Sequence, residues 1–269
     1  MYLFSSFLVG LRLAVRARFL LLVFISFFIL SLAVYLASQF SGRQPASVAL
    51  DVGFSVMRLF LPFLVVFLVQ SVVSKDFDGR YYLSAFSYSC SRSSVLLGRY
   101  FLIVFLICLV LLVMSLLLGL VVSLIGSGYV QATPVALGHY YAISIAFFSL
   151  DLLVLASLAT FLAVVASTPS FVLIGTFGFM LVARSYGAIV DLLSRDAGLV
   201  GNAEGYRVGL GLISYLLPDL GSLDMRMLAI YGKSEFFPAD WLWLLLSNSA
   251  YAIAFLALAI WALQRKRFA

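Results

Sequence analysis

Six long apolar stretches, separated by shorter polar segments, dominate the chain. A helix that crosses a bilayer core of about 30 Å needs roughly 20 apolar residues, and each stretch is close to that length. Because backbone groups in lipid must hydrogen-bond internally, we interpret the stretches as helices. The alternation over about 10 residues that marks the strands of a membrane barrel is not seen in the sequence. The predicted spans are 19–37, 54–73, 101–124, 140–166, 171–193 and 241–263.

Two of the remaining segments predict structure of their own. In residues 1–18 apolar side chains recur at helical spacing, while Arg12 and Arg16 lie four apart on another face. This pattern predicts an amphipathic helix at the membrane interface, the alternative being an ordinary start of the first span. The segment 194–240 is too long for a structureless loop. We expect it to contain short helices on, or dipping into, the outer face.

Composition places the chain in one class. Hydrophobic residues make up 64% of it and charged residues 10%, whereas soluble domains have about 45–50% and about 25%. The net charge of +6 could suggest nucleic acid, but the basic residues flank the predicted spans. We therefore read them as topology signals and expect no nucleic-acid partner. The sequence predicts an all-α polytopic membrane protein with six transmembrane helices in a single domain, residues 1–269.

The lysines and arginines predict the orientation. Ten of them lie in the amino-terminal arm, the connection between spans two and three, and the tail, whereas five lie on the opposite side. The side with ten is cytoplasmic by the positive-inside rule, so both termini are predicted to be cytoplasmic. A cleaved signal sequence is the alternative for the first span. Its apolar run exceeds the 7–15 residues of a signal core, which favours a retained span.

The cytoplasmic segment 74–100 carries the functional prediction. Asp76 and Asp78 are typical of a helix start, because carboxylates there complement the helix dipole. Tyr81 and Tyr82 then present aromatic surface on the water side, which favours contact with a protein partner. The alternative is a solvated connector that contains a capped helix.

The same segment resembles a known family, the membrane subunits of type-2 ATP-binding-cassette (ABC) exporters. Those proteins have six spans with both ends inside, an acidic-x-acidic-Gly motif after span two, a later Arg, and Leu-Gly-Lys before span three. Arginine stands here in place of the lysine, Ser89 in place of the usual proline, and the usual threonine is shifted or replaced at Arg80–Tyr81. The matching residues are Asp76, Asp78, Gly79, Arg92, Leu97, Gly98 and Arg99.

The resemblance implies a permease in the bacterial cytoplasmic membrane that exports a substrate and has no nucleotide chemistry of its own. The chain indeed lacks the phosphate-binding motif G-x-x-x-x-G-K-[ST]. ATP and Mg²⁺ would then bind two copies of a separate ATPase, which docks on a coupling helix within 74–100. A second permease copy or a homologue is expected, and an extracytoplasmic partner and the cargo are left open. The implied ATPase-coupling residues are Asp76, Asp78, Gly79, Tyr81, Tyr82, Arg92, Gly98 and Arg99.

Two charged residues fall deep inside predicted spans. Asp151 lies about 17 Å from the outer end of span four, and Arg184 about 20 Å from the cytoplasmic end of span five. Their similar depths on adjacent helices predict either an intramembrane pair or an Asp151 that faces a polar path between protomers. A pair could also be purely structural and only fix the register of the two helices. Arg58 is predicted to anchor span two near the outer interface. The lone His139 predicts no metal site, and no cofactor is expected on this chain.

Three other functions compete with the export permease. An intramembrane lipid-modifying enzyme would use Asp151 or the outer acidic residues, but no paired carboxylates or His/Asp set lies at one depth. We expect no enzyme activity of the chain itself, because it lacks nucleotide-binding motifs. An ion-coupled carrier would need more buried polar sites than one pair. A non-transporting anchor that transmits ATPase motion to an outer partner differs from export only in whether anything crosses.

Overall fold

The fold is an all-α polytopic membrane protein, as predicted. The computed structural model describes residues 2–74, 92–128, 134–166, 168–195 and 217–266, and within these ranges it contains helices and no strand. Six of the helices are long and apolar enough to cross a membrane. The helices are α1 (Tyr2–Arg16), α2 (Phe19–Phe40), α3 (Pro45–Val69), α4 (Arg92–Ser127), α5 (His139–Val165), α6 (Pro169–Arg195), α7 (Arg226–Tyr231) and α8 (Trp241–Arg265).

Two spanning helices begin earlier than predicted. Helix α3 begins at Pro45 rather than at residue 54, because proline fits the first helical position, where no hydrogen-bond donor is needed. Asp51, which falls between the first two predicted spans, lies on this helix. Helix α4 begins at Arg92 rather than at residue 101, so the last part of the predicted 74–100 segment is helical. The predicted starts of these two spans therefore lie inside longer helices.

Side-chain hydrogen bonds bring several helix ends together at one end of the bundle. Gln264 near the end of α8 donates to Ser93 at the start of α4, 3.2 Å away. Lys266 donates to the carbonyl of Val164 at the end of α5, 2.8 Å away. We call this end of the bundle, where Ser93, Val164 and Gln264 lie, the terminal end. The opposite end of the bundle is the far end.

The amino-terminal helix is separate from the first span, as predicted. Arg18 adopts a left-handed conformation with φ of 61° between α1 and α2, which a residue with a side chain seldom adopts and which breaks the helix. Helix α1 then packs on α4. A Cβ atom on Gly10 would lie 2.6 Å from the Leu102 side chain, and the Phe7 and Phe105 rings meet edge to face at 5.8 Å.

The segment before α8 is folded into the bundle. Residues 217–225 are non-helical, and four of them are buried, Pro218, Leu220, Leu223 and Met225. Helix α7 and a 3₁₀ turn at Ser234–Phe236 follow. Short helices in the predicted segment 194–240 are therefore present, while residues 196–216 lie outside the described ranges. A second apolar core joins α5, α6 and α8 to this segment and lies next to the site described below.

Candidate functional site

The predicted ATPase-coupling residues divide into two groups. One group lies in residues 75–91, outside the described ranges: Asp76, Asp78, Gly79, Tyr81 and Tyr82. The other group lies on α4, where Arg92 is the first helical residue and Gly98 and Arg99 are buried. The structure therefore describes residue 74 and residues 92–100 of the predicted segment 74–100, on either side of residues 75–91.

The two ends of this segment are bonded to each other. Helix α3 finishes in a π-helical turn, Gln70–Ser74. The Arg99 guanidinium donates from Nη1 to the Val72 carbonyl of this turn, 3.0 Å away. A hydrogen bond from a charged donor is among the stronger kinds, and burial strengthens it further. Arg99 thus fastens the start of α4 to the end of α3.

Further polar bonds join the same region to three other spanning helices. Gln70 of the π-helical turn donates to the Pro169 carbonyl at the start of α6, 2.8 Å away. The Tyr100 hydroxyl shares a buried hydrogen bond of 2.8 Å with Ser157 of α5. Ser93 accepts from Gln264 of α8. The start of α4 and the end of α3 therefore have direct polar contacts with α5, α6 and α8.

Asp151 and Arg184 form the intramembrane pair that their depths predict. The Arg184 Nη2 atom lies 2.6 Å from Asp151 Oδ2, and Asp151 is 1% exposed. Asp151 lies about 18 Å along α5 from its first residue, and Arg184 about 22 Å along α6 from its own. A single charge at such depth costs about 2.5–3.5 kcal/mol on insertion scales, and pairing with an opposite charge offsets part of that cost.

The pair extends to Arg58, whose predicted role as an interfacial anchor is wrong. Because α3 begins at Pro45, Arg58 lies about 20 Å along the helix rather than near its end. Its backbone carbonyl accepts from Arg184 Nη1 at 3.0 Å. Its guanidinium forms an ion pair with Asp224 and donates to the Leu220 carbonyl at 3.3 Å. Arg58 therefore holds the Leu217–Met225 segment rather than reaching a lipid headgroup.

Arg226 extends this set of ion pairs and hydrogen bonds toward the far end of the bundle. Its Nε atom lies 3.3 Å from Asp224 Oδ2, and its Nη1 atom lies 3.1 Å from both Asp51 Oδ1 and Ser55 Oγ. The connected side chains include three carboxylates and three guanidinium groups, so their formal charges sum to zero. We call this set the charge network: Asp51, Arg58, Asp151, Arg184, Asp224 and Arg226.

The sequence interpretation missed three members of the network. Asp51 stood between the first two predicted spans, and Asp224 and Arg226 stood in the segment 194–240, which was predicted to lie on, or dip into, the outer face. Each is an isolated charge beside or within an apolar run, and such charges usually pair with one another inside a membrane protein. That signal was present in the sequence. The identity of the partners was not, because Arg226 and Asp51 are 175 positions apart.

The network leaves buried polar atoms beside a small cavity. Asp151 Oδ1 and Arg184 Nε have no hydrogen-bond partner among the described residues. A cavity of about 10 Å³ adjoins Asp151 and is also lined by Arg58, Ser144 and Asp224. This volume is near the lower limit for one water molecule. An unsatisfied buried carboxylate oxygen costs about 1–3 kcal/mol, so this part of the site is stabilised incompletely.

The described part of the chain contains no candidate metal-binding site. No group of three or more His, Cys, Asp or Glu side chains lies close enough there to hold an ion. His139 begins α5 and stacks on Tyr140 at a centroid distance of 3.9 Å. Cys108 is a free thiol on the exposed side of α4.

Comparison with known proteins does not assign the chain to a family. No family model matches the chain, and no curated protein matches it either. The family resemblance therefore stands on the motif residues between Asp76 and Arg99, and the function it implies is a proposal.

Proposed function

We propose that the chain is the transmembrane permease subunit of an ABC exporter, driven by a separate ATPase that docks on the segment between α3 and α4. The observation that carries the proposal is the set of polar bonds around the two ends of that segment. Arg99 ties α4 to the π-helical turn of α3, and Gln70 and Ser93 tie the same two elements to α6 and α8. The two helix ends that flank residues 75–91 are therefore each bonded to other spanning helices.

These hydrogen bonds would transmit motion of the segment between α3 and α4 to other spanning helices. A partner that displaces the segment pulls on Ser74 and Arg92 together, because Arg99 keeps α3 and α4 in register. The displacement then reaches α6 through Gln70 and Pro169. Packed helices switch between discrete arrangements rather than deform continuously, so the expected response is a rigid-body shift of several spans.

The π-helical turn is the natural point of bending. Residues Gln70–Ser74 depart from the α-helical hydrogen-bond ladder at the place where α3 meets the coupling segment. Such turns are uncommon, occur mostly as single turns, and are frequent at functional sites. The proposal assigns this one to the transmission of motion from the ATPase to α3.

The distribution of burial supports a second permease subunit. The most apolar part of α5 is 72% buried inside the chain, whereas those of α2 and α6 are only 28% and 22% buried. Helix α5 is thus enclosed by its neighbours in the described part of the chain, whereas α2 and α6 leave more of their surface free for a second subunit. The proposal therefore includes a second copy or a relative, with the path between the two.

Site-specific photocrosslinking tests the docking position. A photoreactive phenylalanine analogue replaces Tyr82 in one variant and Tyr231, an exposed residue at the end of α7, in a matched control. Illumination of intact membranes is expected to link the Tyr82 variant, and not the control, to a protein that hydrolyses ATP. Adducts with lipid alone, or with no nucleotide-hydrolysing protein, would overturn the proposed docking site.

A further inference from the structure

The segment Leu217–Met225 is non-helical backbone packed among spanning helices. Leu220, Leu223 and Met225 are buried, and they share an apolar cluster with α5 and α6. Irregular backbone inside a membrane protein is tolerated only where protein or water satisfies its polar groups. This segment must therefore be held in place by contacts with the surrounding helices.

Backbone groups of the segment bond directly to the surrounding helices. The Leu220 N–H donates to the Ala183 carbonyl of α6 at 3.2 Å. The Met225 carbonyl accepts from Ser144 of α5 at 2.7 Å. These bonds fix both halves of the segment, but each is a single contact of ordinary strength, worth about 0.5–1.5 kcal/mol.

Arg58 makes the strongest attachment. It reaches the segment twice, through the Leu220 carbonyl and through the ion pair with Asp224. Arg58 is itself fixed, because Arg184 donates to its backbone carbonyl. One side chain of α3 therefore holds the segment over the cavity beside Asp151.

The same charges would favour water if the segment moved away. Asp151 is buried with one oxygen unpartnered in the described structure, and hydration would remove that cost. An apolar set of side chains would seal a permanently closed site at least as well as a buried ion pair does. Charged groups kept at this depth are typical of a path that becomes wet.

We propose that Leu217–Met225 is a plug that closes the far end of the bundle, that the Arg58–Asp224 ion pair is its latch, and that release of the plug opens a water-filled space down to Asp151. This inference does not depend on the proposed ATPase, because it stands on the contacts of the segment alone. Local opening of this kind is measurable as accessibility of a buried group without global unfolding.

Thiol labelling of the purified protein in detergent tests the plug. With Cys90 and Cys108 replaced by serine, Ser144→Cys provides a reporter under the plug, and Ser157→Cys a reporter in the other half of α5. The latch variant is Asp224→Asn, and Asp240→Asn, outside the charge network, is its matched control. The reagent is a charged, water-soluble methanethiosulfonate.

In Asp224→Asn the reporter at position 144 is expected to react at least about tenfold faster than in the parent, since loss of a charged hydrogen bond is worth more than that factor. The reporter at position 157 is expected to stay protected, and Asp240→Asn to behave as the parent. Equal rates at position 144 with and without Asp224 would overturn the latch. A rise of similar size at both reporters would show general unfolding rather than a plug, and would also overturn the proposal.

Discussion

Arg99 donates a hydrogen bond from Nη1 to the Val72 carbonyl, 3.0 Å away, and so joins α4 to the π-helical turn at the end of α3. The two residues stand on either side of the segment 75–91, which carries the acidic motif. A force applied to that segment therefore acts on α3 and α4 as a unit. The bond is buried, so it is strong relative to an exposed contact.

Removal of the Arg99 side-chain donors should destabilise the terminal end. We expect Arg99→Met to lower the free energy of unfolding by about 1.5–3 kcal/mol, since hydrogen bonds to charged groups contribute that much. Arg99→Lys keeps a charged donor and should lose less. Unfolding in mixed micelles, followed by intrinsic fluorescence, measures the difference. The control is Arg43→Met, an exposed residue between α2 and α3, and a loss no larger than in this control would contradict the assigned bond.

A charge swap tests the pairing of Asp151 with Arg184. Each single change, Asp151→Arg or Arg184→Asp, places like charges in contact and should cost about 3–5 kcal/mol. The double variant restores opposite charges and is expected to recover at least half of the stability lost in the worse single variant. Recovery should be incomplete, because an aspartate at position 184 cannot donate to the Arg58 carbonyl.

Thermal stability and the yield of monodisperse protein in detergent serve as readouts for the swap. The coupling energy follows from the double-mutant cycle. If the double variant is no more stable than the worse single variant, Asp151 and Arg184 do not stabilise each other, and the charge network loses its central link.

Gly221 should not tolerate a side chain. A Cβ atom there would lie 2.6 Å from the Arg184 backbone oxygen, which cannot move without displacing α6. We expect Gly221→Ala to cost about 1–3 kcal/mol, as overpacking does elsewhere. Gly42→Ala provides the control, because no atom lies within 4 Å of the added group. Equal thermal midpoints for the two variants would show that the segment does not contact α6 as closely as described.

The six spans were predictable because length and hydropathy alone decide whether a helix can cross a bilayer. The start of α3 was not placed correctly, although Pro45 is a known signal for a first helical position. The connection predicted between spans one and two instead included Asp51, a charged residue that lies on this helix. In the structure its charge is offset by Arg226, which no local pattern reveals.

The candidate site was predictable only where helix geometry fixes depth. Asp151 and Arg184 lie on consecutive helices joined by a short connection, so their depths could be compared from residue counts. The depth of Arg58 could not be compared with theirs, because the second span was predicted to begin at residue 54 and α3 begins at Pro45. The position of Asp224 depends on a non-helical segment that returns into the bundle, and no periodicity predicts its path.

Purification of the native complex in a mild detergent, with mass spectrometry of the bound proteins, shows whether a separate ATPase works with this chain. We expect an ATPase in stoichiometric amount with the wild-type chain and with the control Asp240→Asn. That ATPase should be lost, with the permease still monodisperse, when Asp76, Asp78 and Tyr82 are all changed to alanine. A wild-type chain that is functional without any nucleotide-hydrolysing partner would overturn the proposed function.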